Sequence, residues 1–240
     1  NEYNQQFMSE TFSDRLARVQ ERVQSACARS GRPPAAVALI AVSKTHGPEA
    51  VAEAVACGLR RFGENKVQEA GAKIPLCPGG LTWDLVGHLQ SNKAYAAVAL
   101  FDLIHSVDSI KLARVLDRAG DELGKRVRIL LEVNVSGESS KFGLKPDEVP
   151  AVLEAANELP RLEVLGLMTM APLAPEAEKA RPHFRRLREL RDQWACQLGT
   201  PLPELSMGMS HDFDVAIEEG ATCIRVGTLL FGERSRSEVT

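Results

Sequence analysis

Apolar residues fall into two alternating rhythms along this chain. The first is helical: over residues 13–29, Leu16, Val19, Val23 and Ala26 share one face, the spacing of an amphipathic helix. Ser13 is placed to cap its start, and Gly31 to end it before Pro33 and Pro34. The second rhythm is that of short strands, at VALIAV (37–42), RFGE (61–64), TWDLVG (82–87) and DLIHSV (102–107). It continues at VRILLEVNV (127–135), LEVLGLM (162–168), ELSMGM (204–209) and TCIRVG (222–227). Helical segments fit between the strands, at 48–57, 65–74, 91–99, 109–123, 146–159, 177–198 and 212–219. Pro48 suits a first helical turn, and Phe184, Leu187, Leu190, Trp194 and Leu198 form one stripe of the longest helix.

Strands alternating with helices predict a parallel sheet, and eight such units predict an α/β fold closed as a (β/α)8 TIM barrel. The competing arrangement is an open doubly wound sheet, but no GxGxxG follows the first strand and no break separates two halves. The barrel is expected to occupy 8–240 as one domain. Residues 1–7, NEYNQQF, are polar and patternless and are expected to be a tag remnant or a disordered start, with Met8 as the first native residue.

Composition narrows the function classes. The 240 residues are 44% hydrophobic and 25% charged, ordinary for a globular chain with a large core. A net charge of −3 leaves no nucleic-acid footprint. No apolar run is long enough to span a bilayer, and no signal peptide is expected. Cys27, Cys57, Cys77, Cys196 and Cys223 are odd in number and form no CxxC pair. That argues against a disulfide framework or a zinc site and for a cytoplasmic protein. His46, His105, His183 and His211 lack metal-ligand spacing and are expected on the surface or in loops.

In this fold the functional site lies at the carboxyl ends of the strands. Lys44 follows the first strand, Glu64 and Asn65 the second, and His88 the third. The last two loops, GMS and VGT, end in Ser210 and Thr228. Small residues there let backbone N–H groups approach an anion, and a phosphate site between strands 7 and 8 recurs in such barrels. An amine opposite a phosphate site suggests a phosphorylated aldehyde held as a Schiff base, with pyridoxal 5′-phosphate the obvious candidate.

The segments AVSKTHG, RFGENKVQE, WDLVGHLQSNK, LLEVNVSGESSKFGL, LGLMTMAP and LSMGMSHDFDVAIEEGATCIRVGTLLFG extend from about Leu39 to Gly232. In combination they closely resemble the pyridoxal phosphate homeostasis proteins. The resemblance implies a fold-type III barrel related to the amino-terminal domain of alanine racemase, and a role in buffering or delivering the cofactor rather than in catalysis. It makes Lys44 the Schiff-base lysine and puts Ser210, Gly227 and Thr228 on phosphate-binding positions. Arg225 falls on the residue facing the pyridine nitrogen and Asn65 on a pocket position. Met168 is included among the cofactor-binding positions, as packing rather than chemistry. Lys141, in the SGESSKFG loop, is expected to be a lid residue and is the other lysine able to visit the cofactor. His88 departs from the family pattern, standing where many members have proline.

The implied partners are pyridoxal phosphate and apoenzymes that need it, with no nucleic acid and no membrane. A monomer is expected, a dimer being the alternative. An amino-acid racemase is the competing function. Alanine racemase uses the Schiff-base lysine and a tyrosine from a second domain. Here the sequence stops at Thr240, soon after the eighth strand, and its tyrosines, Tyr3 and Tyr95, are not at strand ends. A cofactor-free phosphate-ester enzyme ranks last, because no paired acid and base or metal cluster is apparent. For Arg225, the alternative to a cofactor role is an ion pair with a buried carboxylate such as Glu132.

Overall fold

The computed structural model describes residues 10–138 and 142–232. Eight parallel strands close in sequential order: β1 (Ala38–Val42), β2 (Arg61–Glu64), β3 (Thr82–Leu85), β4 (Leu103–Val107), β5 (Val127–Glu132), β6 (Leu162–Met168), β7 (Glu204–Met209) and β8 (Cys223–Val226). The ring is sealed where Ile40 of β1 lies opposite Arg225 of β8 and Ala41 opposite Val226. The helices are α1 (Phe12–Arg29), α2 (Pro48–Ala56), α3 (Val67–Lys73), α4 (Ala94–Leu100), α5 (Ile110–Leu123), α6 (Val149–Ala156), α7 (Arg181–Leu198), α8 (Phe213–Glu218) and α9 (Thr228–Phe231). This is the TIM barrel that the strand–helix alternation predicts.

Strand alternation sorts side chains into two cores. The larger lies between the barrel wall and the helices and includes Phe62, Leu85, Leu116 and Phe184. Inside the barrel, Ile40, Val42, Val86 and Cys223 form one cluster, and Leu103, Leu130 and Met168 another. Met168 is thus fully buried packing at the inner end of β6.

Several local expectations change. Thr11, not Ser13, caps α1: its hydroxyl accepts from the Asp14 N–H, and the Asp14 carboxylate accepts from the Thr11 N–H, a capping box that starts the helix two residues earlier than expected. The fifth strand stops at Glu132 because the chain turns out of the ring, where Leu144 N–H donates to the Glu132 carbonyl at 2.8 Å. Residues 91–93, 146–148 and 177–180 are single 3-10 turns leading into α4, α6 and α7. The short α9 was not expected. The expectations for residues 1–7 and for Lys141 lie outside the described residues.

Candidate functional site

The ring order makes the strand ends neighbours. β1 pairs with β2 on one side and β8 on the other, and β8 pairs with β7. Lys44, Asn65, the Gly227–Thr228 pair and Ser210 therefore stand on four consecutive strand ends. The β7 and β8 loops are joined directly, since the Gly227 N–H donates to Ser210 Oγ at 3.3 Å. Gly227 also lies hard against β1: a Cβ there would sit 3.2 Å from the Val42 carbonyl oxygen. Gly87, after β3, packs so closely on Asn65 that a Cβ would lie 2.2 Å from its carbonyl oxygen. Only glycine at 87 lets the second and third strand ends approach in this way. His88 lies on the rim, its ring stacked on Phe142 at 3.8 Å between centroids and its Nδ1 3.5 Å from Asp108.

Beneath this arc a chain of polar side chains runs through the barrel interior beside its apolar clusters. Arg225 is buried and donates from Nη1 to Ser206 Oγ at 2.5 Å and from Nη2 to the Thr169 carbonyl at 2.9 Å. His105 Nδ1 lies 2.8 Å from Ser206 Oγ, and its Nε2 3.0 Å from Asp84 Oδ2. Arg61 closes the chain from below, 2.8 Å from Asp84. His105 is wholly buried, against the expectation of a surface or loop role. Burial pulls its pKa down, so the ring is neutral. The carboxylate can only accept, so Nε2 carries the proton and Nδ1 accepts from Ser206.

Arg225 is not ion-paired with Glu132 in the manner of the alternative considered above; its bonds go to Ser206 and Thr169. Glu132 is nonetheless a neighbour. Its pKa is pushed up to about 7, chiefly by burial and then by the Asp108 carboxylate, with the Arg225 charge opposing. Burial also raises Asp212, while the Met209 N–H that it accepts at 2.7 Å pulls the other way.

Glu64, expected among the mouth residues, faces the outer wall instead. Its carboxylate accepts from Ser43 Oγ at 2.6 Å and from Lys73 Nζ at 2.7 Å. Lys73, Glu69, Ser206 and Asp84 were not singled out in the sequence, and His105 was expected on the surface or in a loop. Each sits inside a strand or on a helix face, where nothing local marks it. Among the described residues no group of His, Cys, Asp or Glu could hold a metal ion, and the described cysteines are free.

The arrangement thus offers an amine on one strand end, neutral donors for an anion on two adjacent ones, and a fixed cation below. That donor set fits a phosphorylated pyridine aldehyde: the Gly227 N–H holds Ser210 Oγ, whose hydroxyl proton is left to donate to an anion, and Arg225 presents a planar donor from beneath.

Comparison defines the class first: the family model for the alanine racemase N-terminal domain matches residues 15–235. A relative from Aquifex aeolicus named pyridoxal phosphate homeostasis protein is 46% identical over 222 residues, covering 92% of this chain and 97% of that protein. A human protein of the same name is 41% identical, covering 93% of this chain and 86% of that protein. The chain belongs to the pyridoxal phosphate homeostasis protein family. Among solved structures, PipY of Synechococcus elongatus with pyridoxal phosphate bound is 44% identical, with a TM-score of 0.81 over 92% of this chain and 100% of that one. Alanine racemase of Clostridium difficile shares the fold alone, at 13% identity and a TM-score of 0.72, covering 92% of this chain and 57% of that one. Among the described residues no helix is long and apolar enough to cross a membrane.

Proposed function

We propose that this barrel binds pyridoxal 5′-phosphate at the arc of strand ends from β7 through β2, and stores and delivers it without turning over amino acids. The observation that carries the reading is the Ser210–Gly227 bridge, which joins the β7 and β8 ends so that neutral phosphate donors stand one and two strands from Lys44, above the buried Arg225. Lys44 attaches the cofactor covalently. Ser210 Oγ and the Gly227 and Thr228 backbone hold the phosphate. Arg225 faces the ring nitrogen, Asn65 lies at the pocket edge and Met168 packs below. When bound, the cofactor supplies an aldehyde able to condense with amines and an electron-withdrawing ring.

Arg225 is permanently protonated and can only donate, so it favours an unprotonated ring nitrogen and a weaker electron sink. Tyr95 lies in the first turn of α4, half exposed to solvent and not in a strand-end loop, so it is not placed as a second base. Apoenzymes that need the cofactor are its destination, the chain acts as a monomer, and the cytoplasm is its compartment.

The test is an absorption spectrum of purified protein mixed with the cofactor, followed by borohydride reduction and peptide mapping. Attachment at Lys44, lost in Lys44→Ala, is expected; attachment solely at another lysine overturns the assignment. Incubation with L-alanine in deuterated water separates the roles. Negligible α-proton exchange, with transfer of cofactor to an apoenzyme, is expected. Rapid exchange with racemisation would overturn the carrier role.

A further inference from the structure

The turn that carries Lys44 is strained. Among the described residues Thr45 is the one non-glycine residue with positive φ, at 67°. The His46 N–H donates to the Ser43 carbonyl at 3.1 Å, so residues 43–46 form a tight turn with a left-handed third residue. That is the type II pattern, which normally places glycine there. A β-branched residue in this region is an outlier. Such a conformation persists only where the surroundings over-determine it.

Here the surroundings are a single buried ionic cluster on the outer wall. Lys73, at the end of α3, donates from Nζ to the Ser43 carbonyl at 2.8 Å, to Glu64 at 2.7 Å and to Glu69 at 3.2 Å. Ser43 Oγ donates to the same Glu64 oxygen, and the Thr45 N–H donates to Glu69. Both residues flanking Lys44 are therefore tied to one ammonium and its two carboxylates.

Stability alone does not account for this cluster. The side chain of Lys73 is 5% exposed and that of Glu64 is fully buried. Glu64 Oε2 is buried without a partner. Desolvated ion pairs are commonly no better than apolar packing, and an unsatisfied carboxylate oxygen is unfavourable. What the cluster does achieve is to pin the backbone on both sides of Lys44 while leaving its amine out of the network. All three Lys73 donor positions are taken, so its amine is not a free nucleophile.

We infer that Lys73, Glu64 and Glu69 are positioning residues for Lys44, holding the left-handed turn that aims its amine at the barrel mouth. The inference rests on the proposed role of Lys44 in cofactor attachment.

The test compares wild type with Thr45→Gly, Thr45→Asn, Lys73→Met and Glu69→Gln. The readouts are the rate of pyridoxal phosphate attachment to Lys44 (visible absorbance and borohydride-locked mass), Tm, and hydrogen exchange of the residue-45 amide in ligand-free protein. Thr45→Gly removes the strain while favouring the same left-handed turn, so its Tm is expected to hold or rise with attachment close to the wild-type rate. Lys73→Met, by contrast, frees the turn and is expected to slow attachment roughly ten- to a hundredfold through lost orientation. Thr45→Asn, which tolerates the left-handed region, is expected to attach at close to the wild-type rate. Glu69→Gln, partly exposed and isosteric, guards against misfolding of Lys73→Met. It is expected to speed residue-45 amide exchange and slow attachment without loss of fold. Wild-type attachment at Lys44 with unchanged rates in Lys73→Met and Glu69→Gln overturns the positioning role alone. Wild-type attachment elsewhere overturns the functional reading and this inference together.

Discussion

Two buried polar networks flank the mouth of this barrel, and they hold different things. The inner one runs from Arg225 through Ser206 and His105 to Asp84 and Arg61. It draws on five strands and, apart from the Arg225 bond to the Thr169 carbonyl, fixes side chains against side chains. The outer one joins Lys73, Glu64 and Glu69 to the backbone of the Lys44 turn. It fixes a loop against a helix. Strand closure already makes the inner chain's backbone rigid, so its bonds order charges and protons. The turn has no such support, and its bonds supply the geometry itself. An ionic cluster in a barrel can thus tune a charge or shape a loop, depending on whether its acceptors are side chains or backbone.

The sharpest way to break this contrast is to delete the central carboxylate on each side. Asp84→Ala is expected to destabilise the fold by about 3–5 kcal/mol, because it strands the His105 N–H and removes the partner of Arg61. Glu64→Ala is expected to cost less, about 2 kcal/mol, because Glu69 still partners Lys73. Urea unfolding of both variants measures the difference, and equal losses would erase the distinction.

Glu132 tests the inner network by pH. Folded, it keeps a proton up to about pH 7; its ordinary value is 4.5. Between those values the folded chain holds more protons than the unfolded one, so stability falls as pH rises. The slope is at most about 1.4 kcal/mol per pH unit, giving a total of roughly 3 kcal/mol. Glu132→Gln is expected to flatten Tm against pH across that window and to be the more stable form above it.

Ser210→Ala leaves both networks intact and is expected to weaken cofactor retention by roughly 1.5–3 kcal/mol, one charge-assisted hydrogen bond. Equilibrium dialysis reads it directly. Ser206→Ala is expected to cost about 1–3 kcal/mol of stability by urea unfolding, since His105 Nδ1 and Arg225 Nη1 lose their partner although Arg225 keeps its bond to Thr169.

Much of the fold was legible because barrel strands announce themselves locally. RFGE, LEVLGLM and ELSMGM are short runs bounded by polar or turn residues, and their predicted bounds agree with β2, β6 and β7. Lys44, Asn65, Ser210 and Gly227 were legible for a related reason: a residue just past a strand is at the mouth wherever the barrel closes. The start of α1 was less so, since Thr11 and Ser13 are both plausible caps and only the Asp14 contact distinguishes them.

The sequence by itself determined the alternation of eight strands with helices, the polar residues at the strand ends and the family motifs. Periodicity and strand termini are properties of contiguous residues. Only the tertiary structure decided which polar side chains meet. His105 and Ser206 are 101 residues apart and Ser43 and Lys73 are 30 apart, yet each pair is within hydrogen-bond distance. No local pattern carries that information. Ring closure brings distant strands side by side, and the exclusion of water then obliges every buried donor to find the nearest acceptor. The left-handed Thr45 is of the same kind: threonine disfavours that conformation in isolation, and the cluster on α3 and β2 imposes it.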